Sequence, residues 1–409
     1  MSLSDLGSWI TEMARPGRIW YAKRLAANDT LATHSHQAGP YIPKDFLFQM
    51  FPILKQTTAA NTDIHFDLYI DSHSDHRKAR AIWYNNKFRG GTRDETRITG
   101  LGGQTSALLD PDSTGALALF VFVIDESKTA TKCHVWVCND GTEAEQIEDV
   151  IGPVEPKQHV FWTSGSTPAA ESLPEATFGN CFIAPHDIPS SWLAKFPSGQ
   201  QIIEEALKRR PPAGMNPDVR LIKRRSCEFD IFKSVEQATY APKVASGFAD
   251  LESFLGLAQT VLQSRKSRSG NSLELHTREI FNEEGLIAGS NYTFRPVIEG
   301  GKRPDFIFPS QAAYEGASSS VSHLRMLAAK TTCKDRWRQI LNEADKVSTK
   351  HLLTLQEGVS EGQFKEMVSA NVILVVPAGL HDSYPKSVQP HLVTLEEFIG
   401  EVRLLAATG

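Results

Sequence analysis

Cysteine is scarce in this chain. Its five cysteines, Cys133, Cys138, Cys181, Cys227 and Cys333, are odd in number and scattered. No disulfide framework is expected, and the pattern suits reduced thiols in the cytoplasm of a bacterial-type cell. Cys133, His134 and Cys138 stand close together, but no second ligand pair follows at zinc-site spacing, so a strand with small apolar residues is the simpler reading. Long apolar runs are also missing. The longest, Ala116 to Ile124, is far too short for a membrane span and reads as a buried strand. The N-terminal segment lacks the basic start, apolar run and small-residue cleavage site of a signal peptide. Nor is there a global excess of positive charge: the net charge is −5, and nothing in the total announces a nucleic-acid partner. A nucleotide cofactor is not expected either, because Gly300-Gly301-Lys302-Arg303 lacks the Ser/Thr and upstream glycine of a phosphate-binding loop.

What remains is a globular composition, 41% hydrophobic and 22% charged over 409 residues, which is long enough for two domains. The first part reads as β-rich. Strand-like runs occur at His65 to Ile70, Ala79 to Tyr84, Ala116 to Ile124 and Lys132 to Cys138, the last two joined like a hairpin, so a barrel or sandwich is expected. Ser, Thr, Pro, Gly and Ala then dominate a stretch that reads as a linker over 166–190. A helix over Gln200 to Arg210 ends at the breaker cluster Pro211 to Pro217. Helical periodicity follows at Asp250 to Gln263 and Ser272 to Glu284. Strands are expected at Pro304 to Pro309, Leu324 to Lys330, His351 to Gln356 and Val372 to Val376. Helices are expected at Asp335 to Lys346, Glu361 to Ser369 and Thr394 to Ala407. This second half is an α/β domain with a mixed sheet.

Positive charge is concentrated locally at Lys223-Arg224-Arg225, Arg265-Lys266-Ser267-Arg268, Lys302-Arg303 and Lys334 to Arg338. Phosphate binding needs local rather than global positive potential. Phosphodiester hydrolysis needs carboxylates for Mg²⁺ and usually a lysine beside the attacking water. Asp305 after Pro304 and Lys330 at the end of the next strand supply two such groups. The position two before the lysine, where an acid is usual, is Ala328, so Glu343 on the following helix is the substitute carboxylate. Glu274, on a preceding helix, is a fourth member. A rival loop, Asp71-Ser-His73-Ser-Asp75-His76, has Asp where a metallo-hydrolase would start with His and lacks later ligands; it reads as a solvated turn.

The segment from Arg325 to Asp345 closely resembles the catalytic segment of the EcoRII restriction endonucleases. Further similarities run in the same order along nearly the whole chain. They include Arg224-Arg225, Glu228 to Phe232, Ser272 to His276, Lys302 to Phe306 and His351 to Gly358. In the first half they include Lys23-Arg24-Leu25, His36-Gln37, Tyr41-Ile42-Pro43, Thr92-Arg93 and Arg97-Ile98-Thr99. The resemblance implies a type IIE restriction endonuclease of the PD-(D/E)xK nuclease superfamily, in the branch whose second acid has moved onto a helix. The expected domains are an effector DNA-binding domain over 1–165, with a B3-like β-pseudobarrel, and a catalytic domain over 191–409.

By the same resemblance, Asp305, Lys330 and Glu343 would be catalytic, with Asp305 and Glu343 holding Mg²⁺, Glu274 supporting, and Tyr314 nearby. Lys334, Asp335 and Arg336 would read G·C pairs, which suits their donor and acceptor chemistry. Arg225 and Phe229 would sandwich a flipped base, Phe229 standing where the family commonly has Tyr. Lys23, Arg24, His36, Tyr41, Arg93, Glu95 and Arg97 would contact effector DNA, while Gly91 replaces a family lysine and Arg89 is a possible compensation. The implied partners are two copies of a CCWGG-like site on double-stranded DNA, a second copy of the chain in a homodimer, and a companion DNA methyltransferase. The competing class is a sequence-specific DNA-binding regulator that does not cut; retention of all three catalytic residues argues against it.

Overall fold

The computed structural model describes residues 3–33, 39–164, 181–317 and 323–408. The chain divides into two units. One comprises Met1–Glu171 with Gln356–Phe364 and Asp382–Val388; the other comprises Ser172–Leu355 with Lys365–His381 and Gln389–Gly409. Among the described residues no helix is long and apolar enough to cross a membrane.

The first unit is built on a seven-stranded sheet, mainly antiparallel, made of β1 (Arg18–Arg24), β2 (Asp63–Ile70), β3 (Asp75–Tyr84), β4 (Glu95–Thr99), β5 (Leu117–Ile124), β6 (Ala130–Val137) and β7 (His159–Thr163). The order is β4-β3-β2-β6-β5-β1-β7, with β2 and β6 parallel and the other pairs antiparallel. The apolar run of β5 is continuous because both of its faces are covered. Ala118, Phe120 and Phe122 join one core with α2 (Lys44–Met50), while Leu117, Leu119 and Val121 join a second with α1 (Leu3–Met13) and α3 (Gly141–Ile151). The expected hairpin of β5 and β6 is present. The strands β1, β4 and β7 have no counterpart in the sequence reading, since their polar ends break the alternation on which it relied.

The second unit opens at Cys181. The stretch 165–180, most of the expected linker, lies outside the described residues, but the rest of it is packed: Cys181, Ile183 and Ile188 are buried. They lie against α5 (Gly199–Arg209) and α6 (Pro217–Ala245), beyond the short α4 (Ser190–Ala194). Here the reading of the cysteines needs correction. Cys181 and Cys227 are joined as a disulfide with Cα atoms 5.1 Å apart, while Cys133, Cys138 and Cys333 are buried thiols outside that disulfide. Few and scattered cysteines exclude a framework, but not one bond between positions that folding brings together. Alkylation of the denatured chain should therefore label three cysteines without reductant and five with it. Labelling of all five without reductant would contradict the pairing.

Pro217, expected only as a breaker, starts α6 at its first turn, with the Asn216 side chain capping Val219 N; a proline there costs no hydrogen bond. The two expected helices at 250–284 are one helix, α7 (Leu251–Glu283). The second sheet has the order β12-β11-β10-β9-β8, from β8 (Thr293–Phe294), β9 (Phe306–Phe308), β10 (Arg325–Ala329), β11 (Lys350–Leu353) and β12 (Val372–Val375). The pairs β10–β11 and β11–β12 are parallel, and β8–β9 and β9–β10 antiparallel, so the sheet is mixed. After β9 comes α8 (Gln311–Gly316), between β11 and β12 lies α9 (Glu361–Ser369), and α10 (Leu395–Thr408) closes the chain. Residues of α6, α7 and α10 bury one face of this sheet around Phe281, Phe306, Leu327 and Phe398.

One polar contact orders this layer. The carboxylate of Asp218, in the first turn of α6, accepts from Ala378 N, Leu395 N and Glu396 N, each at 3.0 Å. It thereby caps α10, satisfying amides that a helix start leaves open.

Candidate active site and DNA-reading segments

Asp305 immediately precedes β9 and is 7% exposed. Phe306 pairs with Leu327 in the antiparallel β9–β10 register, and one further step sets Asp305 opposite Ala328. Its Oδ2 accepts from Ala329 N at 2.8 Å and from the Lys330 ammonium at 3.2 Å. Lys330 itself leaves β10 with its amide bonded to Leu353 O. The expected Asp–Lys pair is thus formed by adjacent strands.

Glu343 is not on an α-helix. The segment expected to be helical from Asp335 is a 3-10 turn over Arg336–Asn342, and Glu343 follows it in extended conformation (φ −91°, ψ 143°). Trp337 and Ile340 are the buried residues of that turn. Burial pushes the Glu343 carboxyl up to about 7, the charges of Lys330 and Lys350 opposing and those of Asp305 and Glu274 adding. Its Oε2 is buried without a hydrogen-bond partner. Glu274, on α7, is raised likewise by burial and by Asp305, and its carboxylate holds the Arg295 guanidinium at 2.7 Å. Tyr314 is buried; its hydroxyl donates to Glu299 and accepts from Lys346 N at 3.3 Å.

Three mutually repelling carboxylates, one with an orphaned buried oxygen, form an electrostatic site that favours a cation. Among the described residues no three acidic, histidine or cysteine side chains converge closely enough to hold a metal by themselves. Mg²⁺ does not require such a cage, since it is usually held by one or two carboxylates with water and substrate phosphates completing the shell. The all-oxygen donor set of Asp305 and Glu343 suits that ion.

Beyond Lys330 the chain dips inward through Thr332 and Cys333, both buried, and re-emerges half-exposed at Lys334, Asp335 and Arg336. Burial pushes the Cys333 thiol up to about 12, so it is an anchor and not a nucleophile at neutral pH. Arg225 and Phe229 lie one helical turn apart on α6 and share a face. Arg225 is buried with a nitrogen 3.4 Å from Thr331 Oγ1, beside the lysine, and the Arg268 guanidinium lies 5.1 Å from the Phe229 ring. Beneath them sits Glu228. Burial alone would raise its carboxyl, but Arg268, His276 and Arg225 hold it down at about 2.

In the first unit, the backbone of Tyr41 forms a bridge with Arg97 on the edge strand β4. Lys23 bonds to the Tyr41 carbonyl and to Asp29. Glu95 pairs with Arg93 and Arg97, and Arg93 lies 4.1 Å over the Tyr84 ring. These five expected contacts therefore gather on one surface. Arg24 does not join them: its guanidinium bonds Val154 O, Gly115 O and Glu148. His36 lies outside the described residues. A side chain at Gly91 would meet Asn86 at 2.6 Å, and Arg89 is occupied with the carbonyls of Thr57 and Ala59.

Two family models match the chain, "Restriction endonuclease EcoRII, N-terminal" over residues 14–166 and "EcoRII C terminal" over residues 232–399. A type II restriction enzyme EcoRII from Escherichia coli is 41% identical over 409 residues, covering all of this chain and 99% of that protein. The chain belongs to the EcoRII family. With membership comes the enzyme class, a type II restriction enzyme, that is, a site-specific deoxyribonuclease. The type II restriction enzyme SsoII from Shigella sonnei is 27% identical over 125 residues, 29% of this chain and 40% of that enzyme. Metal-depleted Ecl18kI in complex with uncleaved, modified DNA superposes with a TM-score of 0.44 at 18% identity, covering 55% of this chain and 86% of that one.

Residues that the sequence reading missed surround the EcoRII-type site. Arg295, which holds Glu274, is in a left-handed conformation (φ 48°) that no pattern announces. Lys350 had a signal: it is a lysine opening a strand that is buried along its whole length.

Proposed function

We propose that this EcoRII-family chain cleaves both strands of DNA at a CCWGG-like sequence with Mg²⁺ held by Asp305 and Glu343, after a second copy of the sequence binds the N-terminal domain. The observation that carries the reading is the orphaned, buried Oε2 of Glu343 beside the Asp305–Lys330 pair. A divalent ion bound there would polarise the scissile phosphate and lower the pKa of the attacking water. Lys330 contributes the fixed positive charge that offsets negative charge building on the phosphate. Glu274, tied to Arg295, keeps its carboxylate beside this centre. Lys334, Asp335 and Arg336 read base edges, and Arg225 with Phe229 receives an extruded base. Cutting a pseudopalindrome on both strands is served by a two-fold dimer, and a methyltransferase of matching specificity would protect the host's own sites.

Digesting a plasmid of known sequence with Mg²⁺ and mapping the ends tests this directly. Ends confined to CCWGG sites support the proposal, and ends elsewhere or no cleavage oppose it. Effector dependence has its own test. Arg97→Ala should reduce stimulation by added cognate oligonucleotide and flatten the salt dependence of DNA binding by the N-terminal domain by about one unit of log–log slope. Unchanged stimulation would remove Arg97 from the effector surface.

A further inference from the structure

The residues that follow Glu343 turn sharply. Ala344 is fully buried and takes a left-handed backbone conformation (φ 50°) that a residue with a Cβ adopts only at a cost. Something must over-determine that shape, and five hydrogen bonds do so. The ammonium of Lys350, a residue only 5% exposed, donates to the carbonyls of Glu343 and Ala344. The carboxylate of Glu299 accepts from Asp345 N at 2.9 Å and from the Tyr314 hydroxyl, which in turn accepts from Lys346 N. A further pair, Lys302 with Asp345 at 2.6 Å, closes the same turn from outside.

None of this is needed to complete the sheet. Lys350 opens β11, where its amide already pairs with Asn371 O, and an apolar side chain would serve the core there without burying a charge. Glu299 is exposed and adds nothing to the apolar core. What the bonds share is the short turn from Glu343 to Lys346, at whose head the unpartnered carboxylate oxygen of Glu343 lies among the charges of Lys330, Asp305 and Glu274.

We propose that Lys350 and Glu299 are positioning residues for the metal-binding carboxylate. They lock the turn at Ala344 so that Glu343 presents its free oxygen to the cation. Because Glu343 departs from a short 3-10 turn and not from a rigid strand or α-helix, its direction is set by this clamp. Tyr314, bonded to Glu299 and Lys346, serves the same turn. The inference rests on the reading of Glu343 as a cation ligand, and its test is arranged to separate the two.

Mn²⁺ binding to the full-length protein with uncleaved cognate DNA, followed by electron paramagnetic resonance, is measured for Glu299→Ala, Lys350→Met, Lys350→Arg and Glu343→Gln. Metal-free DNA affinity and thermal midpoints are recorded alongside. Glu299→Ala and Lys350→Met are each expected to weaken Mn²⁺ binding about tenfold or more, as loss of a residue orienting a ligand does, with metal-free DNA affinity unchanged. Lys350→Arg, still able to donate to both carbonyls, should recover most of the loss. If Glu343→Gln weakens Mn²⁺ binding while both clamp variants leave it unchanged, the clamp is refuted and the ligand stands. A change of thermal midpoint without weaker Mn²⁺ binding refutes it equally. If Glu343→Gln itself binds Mn²⁺ normally, both readings fall. Should Lys350→Met not fold, Glu299→Ala decides alone, since it removes an exposed side chain.

Discussion

Asp305→Asn should abolish the proposed Mg²⁺-dependent cleavage, by about a thousandfold or more, while specific DNA binding survives. Asparagine is the informative replacement. The Asp305 carboxylate accepts from the buried Ala329 amide as well as from Lys330, so alanine would leave that amide unsatisfied at a cost of about 1–3 kcal/mol and mix stability with catalysis. Asparagine keeps an acceptor and loses only the charge. Lys330→Ala should give a loss of similar size with little change in folding, because its side chain is partly exposed and its backbone bond to Leu353 remains. Single-turnover cleavage and metal-free gel-shift affinity measured on the same preparations check both. A variant that cuts at the parental rate would remove that residue from the chemistry.

The second large effect lies in the pH dependence of the metal requirement. The Glu343 carboxyl has a folded-state value of about 7 against an ordinary 4.5. Between those values the folded protein holds the extra proton. The cost of ionising this buried group is therefore absent below about 4.5, grows as pH rises, and is complete above about 7. A divalent cation held by Glu343, as proposed, must displace the same proton. The half-saturating Mg²⁺ concentration should fall by up to about tenfold per pH unit below about pH 7 and level off above it. In Glu343→Gln the slope should vanish and the requirement should stay high. The metal-free variant should also be no less heat-stable than the parent at about pH 8, since it carries no ionisation cost there. A slope that persists in Glu343→Gln would assign the proton to another group, with Glu274, also raised by burial and by Asp305, next in line.

Much of this arrangement was legible from sequence because it depends on short-range periodicity. Asp305 and Lys330 sit at the ends of short, almost continuously apolar strands, and the antiparallel register of β9 and β10 does the rest. Glu343, read as the migrated acid, does lie within electrostatic reach of the pair, but the helix expected to carry it is not there. A helical pattern from Asp335 onward is satisfied equally by a 3-10 turn with Trp337 and Ile340 buried, and periodicity over so few residues does not separate the two. The basic runs misled in another way. Arg224 is fully buried in a two-pronged pair with Glu283, and Arg265 is paired likewise with Glu236. A run of positive residues says nothing of which acids on other helices will meet it. The clamp on Glu343 was illegible for the same reason, since it joins Glu299, Tyr314 and Lys350 across three elements. So was the Cys181–Cys227 bond.

Asp218 sets a lower limit on how the second unit can be isolated. The family-model match begins at residue 232, inside α6 and after the carboxylate that caps α10 from the far end of the sequence. Any fragment, split reporter or chimaera joined at that boundary would keep Asp305, Lys330 and Glu343 yet lose the contact between its two ends, along with Leu221, Arg224 and Arg225. The heritable module is longer than its recognisable signature, and junctions belong before Pro217.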